Sequence, residues 1–157
     1  MRKKFIYWLF ECSQRIYIKY KNKNPWEISS EELLTYSEES FGYHLGKLLI
    51  ENNFELLPKV ERHDCYHLIT GYGTTVEDEI ALQYVCFGNG KRSPYLIGVL
   101  LAGTLILPEY YKYYIKSYKL GKNCNQFYHF NYKNLLNFSF QEIREAIFNK
   151  QQILQIQ

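Results

Sequence analysis

Residues 61–83 read ERHDCYHLITGYGTTVEDEIALQ, and this stretch decides the fold. Two helix-forming runs flank TGYGTT, where Gly71 stands as a C-terminal stop and Thr74-Thr-Val-Glu77 has the spacing of a capping box. The chain therefore reverses and sets two consecutive helices side by side. On the first helix, with His63 at the origin, Asp64 falls at about 100° and His67 at about 40°. Val60 and Leu68 share that sector, whereas Arg62 points away. A carboxylate and two imidazoles aimed at apolar neighbours cost several kcal/mol unless they are paired or bound to a metal. Glu79 follows His67 by twelve positions and shares an inward stripe of the second helix with Leu82 and Cys86. Gln83, one turn later, is placed to hydrogen-bond behind the ligands. The expectation is a metal site between two consecutive helices, held by His63, Asp64, His67 and Glu79.

Working outward, the same punctuation recurs. Phe5, Trp8, Leu9, Cys12 and Ile16 repeat at helical spacing, so the first twenty residues read as an amphipathic helix. Ser29-Ser-Glu-Glu32 is a capping box, and Phe41, Leu45, Leu48 and Leu49 form one stripe of a helix over 40–52. Pro58 reads as a first helical residue leading to Gly71. Pro94 to Leu107 reads as a buried helix, Pro108 opens a Tyr/Lys-rich helix ending at Gly121, and Ser139-Phe-Gln-Glu142 opens the last. No run alternates over strand length. The fold expected over 1–157 is one all-α helical bundle with an apolar cavity.

With 157 residues, 46% hydrophobic and 22% charged, the chain is long enough for one core and too apolar to be disordered. The net charge of +3 is too small to argue for nucleic acid, so none is expected as a partner. Its distribution is uneven. Residues 1–26 carry seven basic side chains and one acidic, 27–90 three basic and twelve acidic, and 91–157 nine basic and three acidic. Basic ends on an acidic middle fit solvated faces, and also contact with anionic lipid. Cys12, Cys65, Cys86 and Cys124 form no CxxC pair, which favours free thiols in a reducing, cytoplasmic compartment. The apolar run Phe5 to Phe10 is too short for a signal peptide and lacks a cleavage site. Tyr95 to Leu107, as a helix of roughly 20 Å, is too short to cross a bilayer core of about 30 Å. The expected location is cytoplasmic, with peripheral contact on the inner face of the membrane.

HDCYHLITGYGTTVEDEIAL resembles the signature of the ubiquinone (coenzyme Q) biosynthesis protein 4 family, HDxxH, eleven residues, then Glu. SEESFGYHLGKLL upstream and QEIREAIF downstream resemble flanking segments of that family, so the likeness covers roughly 38–148 of a short member. Residues 1–37 match only weakly. The resemblance implies an all-α fold and a divalent metal, usually zinc, on His63, Asp64, His67 and Glu79. It implies an apolar cavity for a polyprenyl chain, and removal of a carboxyl group with hydroxylation at the same ring carbon of a prenylated 4-hydroxybenzoate-derived precursor. Self-association as a dimer, and contact with other quinone-biosynthesis proteins at a membrane surface, are implied as well.

Two histidines and two carboxylates suit zinc, and equally iron or manganese. Zinc has no redox chemistry, so hydroxylation would need oxygen activated by the electron-rich substrate or another metal. Phe41, Leu45 and Leu49, with Gly42 and Gly46 at small-xxx-small spacing beside them, are candidates for a prenyl pocket, although the same pattern serves plain helix packing. The Tyr/Lys helix with Tyr110, Tyr111, Tyr113, Tyr114 and Tyr118 suits a headgroup layer or a protein contact. Two other functions compete. One is a non-catalytic scaffold that presents a prenyl lipid to partner enzymes. The other is a hydrolase, since HDxxH superficially resembles HExxH peptidases; a fourth protein ligand would leave little room there for the attacking water.

Overall fold

Four of the longer helices begin after a Ser or Thr whose side-chain oxygen accepts from a backbone amide of the first turn. The computed structural model describes residues 1–156 apart from the side chains of Gln14, Tyr17 and Gln155. Among them lie nine α-helices and no strand, only an isolated bridge between Ser40 and Ser139. The first, α1, spans Arg2–Tyr20, followed by a short α2, Ser30–Leu33, capped by Ser29, which accepts from the Glu32 amide. Ser40 caps α3, Phe41–Glu51, in the same way.

The metal-motif helix α4, Glu61–Thr70, starts three residues after Pro58 rather than at it. Lys59 takes a left-handed turn (φ 72°), and the buried Glu61 carboxylate accepts from the amides of Lys59 and Trp26 instead. Gly71 closes α4 at φ 69°, as its position predicts. Next comes α5, Val76–Gly88, capped by Thr75 rather than Thr74, because Asp78 and not Glu77 stands at the third helical position.

Ser93 caps α6, Pro94–Ile106, and a 3₁₀ turn at Pro108–Tyr110 leads into α7, Tyr111–Asn123. α7 runs through Gly121 instead of stopping there, because that glycine is a packing residue. A Cβ on it would collide with the Val85 carbonyl, and one on Gly88 would collide with the Tyr118 carbonyl. The backbones of α5 and α7 therefore touch. Buried Asn89 then ties the chain after α7 to α5, donating to the Gly121 and Asn125 carbonyls and accepting from the Phe127 amide. The chain closes with α8, Phe140–Ile147, and α9, Lys150–Gln155, the latter held by a reciprocal Asn149/Gln152 box.

The core has two lobes, and α5 serves both. Leu82, Val85 and Cys86 pack with Phe41, Leu45, Leu49, Tyr66 and Ile69, while Ile80 and Ala81 pack with Ile6, Val99, Leu107 and Tyr114. Phe41, Leu45 and Leu49 are sealed in that core and line neither of the two cavities described below. Gly42 and Gly46 let α3 close on Leu136 and on Leu33, which is the packing role of their spacing.

Three sequence expectations reverse at the surface. On α1 the inward residue is Ile6, and the stripe picked by periodicity faces out, with Phe5 51%, Trp8 55% and Ile16 60% exposed. α6 is buried on one face only: Leu101 is 62% and Leu105 80% exposed, and Gly98 has no neighbour within 4 Å. The tyrosines of α7 turn mostly inward, where Tyr114 is buried and stacks on Tyr84 at 5.2 Å. An apolar cavity of about 450 Å³ lies between α1 and the start of α6, lined by Ser13, Ile16, Tyr20, Lys21 and Tyr95. No single helix among the described residues is long and apolar enough to cross a membrane.

Candidate metal centre

The turn between α4 and α5 brings three of the four expected ligands to one point. His63 Nε2 lies 3.0 Å from Glu79 Oε2, His67 Nε2 lies 3.2 Å from Glu79 Oε1, and the two Nε2 atoms are 3.2 Å apart. Donors held at about 2.0–2.1 Å around a tetrahedral zinc stand roughly 3.3–3.4 Å from one another, so the spacing matches such an ion. The rings meet edge to face at 4.7 Å and 87°, which aims both lone pairs inward without stacking. His67 is buried, while His63 and Glu79 keep about a quarter of their side-chain surface, which leaves an approach from one side.

Orientation of His67 comes from the turn itself. Its Nδ1 lies 2.9 Å from the Tyr72 carbonyl. A carbonyl only accepts, so Nδ1 carries the proton and Nε2 presents its lone pair, the arrangement usual for metal-bound histidine. The Tyr72 ring is fixed in turn by its hydroxyl, which donates to Ser117 at 2.7 Å, and by stacking on Tyr113. Sequence reasoning missed this partner because a backbone carbonyl has no residue signature. The Gly-Tyr-Gly turn was the available signal.

Asp64 stands apart from the three-residue cluster. At about 100° from His63 its short side chain leaves the helix in another direction. Its Oδ2 is nevertheless buried with no hydrogen-bond partner. Burial pushes its carboxyl up to about 6, against the pull of the neighbouring imidazoles. Gln83 is buried as expected, yet it makes no bond to a ligand, and its Oε1 is also orphaned. Cys65 faces the core, away from the cluster.

The three convergent groups share charge. Burial opposes ionisation of Glu79, but the two imidazoles outweigh it and hold the carboxyl well below its ordinary range. Burial likewise disfavours a charged His67, and the hydrogen bond and charge of Glu79 reverse that, raising its pKa. Two imidazole lone pairs and a carboxylate need a cation between them, either a proton or a metal. These three N/O donors fit a divalent metal, and the buried, unpartnered Asp64 oxygen lies outside their point of convergence.

The family model for coenzyme Q (ubiquinone) biosynthesis protein Coq4 matches residues 56–151, from just before α4 to the start of α9. The chain belongs to that family. A solved structure from Nostoc punctiforme PCC 73102, provisionally named a ubiquinone biosynthesis protein, superposes with a TM-score of 0.65 at 20% identity. The match covers 80% of this chain and 70% of that one, and it supports a shared fold. Among curated proteins none matches this chain. Membership in the Coq4 family ties the chain to ubiquinone biosynthesis and accounts for the all-α architecture.

Proposed function

We propose that the protein is a metal-dependent enzyme of ubiquinone biosynthesis that removes the C1 carboxyl group of a prenylated 4-hydroxybenzoate-derived precursor as carbon dioxide, with hydroxylation of that carbon by dioxygen as the oxidant. The observation that carries this reading is the convergence of His63, His67 and Glu79 at 3.0–3.2 Å from two helices joined by one turn. His63, His67 and Glu79 would hold the ion, and Asp64, through its unpartnered Oδ2, would complete or flank the set. When bound, a divalent metal supplies Lewis acidity toward a carboxylate or ring oxygen. The chain's own contribution is positional. Tyr72 fixes the tautomer of His67, Glu79 balances the imidazole charge, and the buried inner side of the cluster limits water. Zinc is the first candidate, and iron or manganese suit the same donors.

The test pairs metal stoichiometry with carbon dioxide release from a prenylated aromatic acid. His67→Ala is expected to lose both together. A metal-free variant that still releases carbon dioxide would refute the assignment.

A second reading, a lipid-presenting scaffold with a structural metal, draws on the outward apolar faces of α1 and α6 and the cavity between them. In it the partners are an isoprenoid lipid, a membrane surface, other quinone-biosynthesis proteins and a second copy of the chain. Bound precursor with no carbon dioxide release from metal-loaded protein would select this reading.

A further inference from the structure

On the outer side of the Gly71–Gly73 turn lies a second cavity, of about 560 Å³, lined by α7 and α9 and open to solvent. Its size is in the range of small-molecule sites, about 300–1,000 Å³. Lys116, Lys119 and Asn123 line it from α7, and their spacing puts them on one face of that helix. Gln151 joins them from α9.

The donors here are exposed to solvent and bonded to no group of the described residues. Among the described residues, Lys116, Lys119, Asn123 and Gln151 make no side-chain hydrogen bond or ion pair. The one carboxylate in the lining, Asp78, is already engaged: Oδ1 accepts from the Tyr113 hydroxyl and Oδ2 from Thr75, both at 2.8 Å. Asn149 and Gln152 use their side-chain oxygens to accept from each other's backbone amides in the α9 cap, which leaves their side-chain NH2 groups as further donors. Two ammonium groups three residues apart on one helix repel each other, and neither is in an ion pair, although the Asp78 carboxylate shares the lining. The remaining wall is flat and apolar, formed by the stacked rings of Tyr72 and Tyr113 with Leu120 and Ile156.

We propose that this cavity binds a phosphate-class oxyanion, gripped by Lys116 and Lys119 with Asn123 and Gln151, and carried on a small group that lies against the tyrosine rings. The wall it would touch is the Gly71-Tyr72-Gly73 turn, whose central carbonyl orients His67. Occupancy and metal retention are therefore linked through that turn. That linkage rests on the metal reading above, whereas the binding itself does not.

The experiment titrates the full chain with inorganic phosphate, sulfate and glycerol phosphate, and separately with vesicles containing phosphatidic acid. Calorimetry is expected to give saturable one-to-one binding. The exposed pair K116Q/K119Q should weaken it about tenfold or more, since charge-assisted bonds are lost. The control K112Q/K122Q, on lysines outside the cavity, should leave it unchanged. Binding of the soluble anions identifies a free phosphorylated molecule, and binding of the vesicles alone identifies a lipid headgroup. No saturable binding in any arm, or equal losses in both lysine pairs, overturns the proposal. His67→Ala separates the two readings: phosphate binding that survives loss of the metal supports the cavity whatever becomes of the metal centre.

Discussion

His67 and Tyr72 are joined by a ring-to-carbonyl hydrogen bond of 2.9 Å across the turn that reverses the chain. The bond makes the turn part of the metal centre, because it settles which imidazole nitrogen is free. The turn is set by Gly71, whose φ of 69° suits glycine and whose missing Cβ admits the Ile156 carbonyl.

Gly71→Ala should consequently damage stability and metal affinity together. Strain at a positive φ costs about 1 kcal/mol, and the clash with Ile156 adds to it. Urea unfolding of the metal-free variant gives the first quantity and competitive zinc titration gives the second. Lowered stability with unaltered zinc affinity would show that the Tyr72 carbonyl does not position His67.

Asp64→Asn should have opposite effects with and without metal. In the metal-free protein the Asp64 carboxyl is raised to about 6 by burial, above its ordinary 3.8. The folded state then holds its proton more tightly than the unfolded chain, so the ionised group burdens the fold above about pH 6, and that burden fades as pH falls toward 4. Metal-free Asp64→Asn is expected to be more stable than the parent at pH 7, with the gap closing by pH 4. With metal bound the order should invert if Asp64 is a ligand. Denaturant midpoints at pH 4, 5.5 and 7, with and without zinc, report both. A variant as stable as the parent at every pH would mean that the carboxyl is solvated.

The hairpin of α4 and α5 was legible because its signals are local: a glycine stop, a threonine cap and a polar triad at helical spacing. The cap was misplaced by one residue because Thr74 and Thr75 are chemically alike, and only the chain's path decides which one is free to accept from Asp78. Asp64 shares the sector of the histidines by helical angle and by its place in the motif, and only side-chain reach, which spacing does not carry, separates it from the three convergent groups. On α1, apolar residues occur nearly all round, so periodicity cannot tell Ile6, which is buried, from Phe5 and Ile16, which are not. Gly121 looked like a stop because its contact, the Val85 backbone, lies far away in sequence.

That last contact makes its own prediction. Gly121→Ala would push a methyl group into the Val85 carbonyl, where α5 and α7 meet backbone to backbone. Forced overpacking costs about 1–3 kcal/mol. In a chain of this size that is a fall of roughly 3–10 °C in melting temperature. Gly98→Ala, on the open side of α6, should be neutral or slightly stabilising, since alanine is the better helix former. Thermal denaturation of both variants side by side checks the pair, and equal melting temperatures would mean that α5 and α7 can move apart without cost.

The outward faces of α1 and α6 lead to the final expectation. The edge of α1 with Ile16 and Tyr20 meets α6 at Tyr95, while Arg2 binds the Ile106 carbonyl and Glu109 at the other end. The two helices thus run antiparallel, and the exposed stripe of α1 borders α6. Lys4, Arg15 and Lys19 are exposed on α1, Lys4 and Arg15 at one edge of that stripe and Lys19 within it. Apolar side chains edged by cations are the pattern of a face that lies on anionic lipid. Purified protein should therefore sediment with phosphatidylglycerol-containing vesicles and shift the emission of Trp8 to the blue. Binding should weaken as salt rises, because the basic flank is screened. Leu101→Glu with Leu105→Glu should abolish it without loss of metal, since both side chains are exposed and far in sequence from the ligands. Vesicle binding that is absent, or indifferent to salt, would leave these faces to a protein partner, and sedimentation of the free protein as a dimer that the same two substitutions dissociate would name that partner.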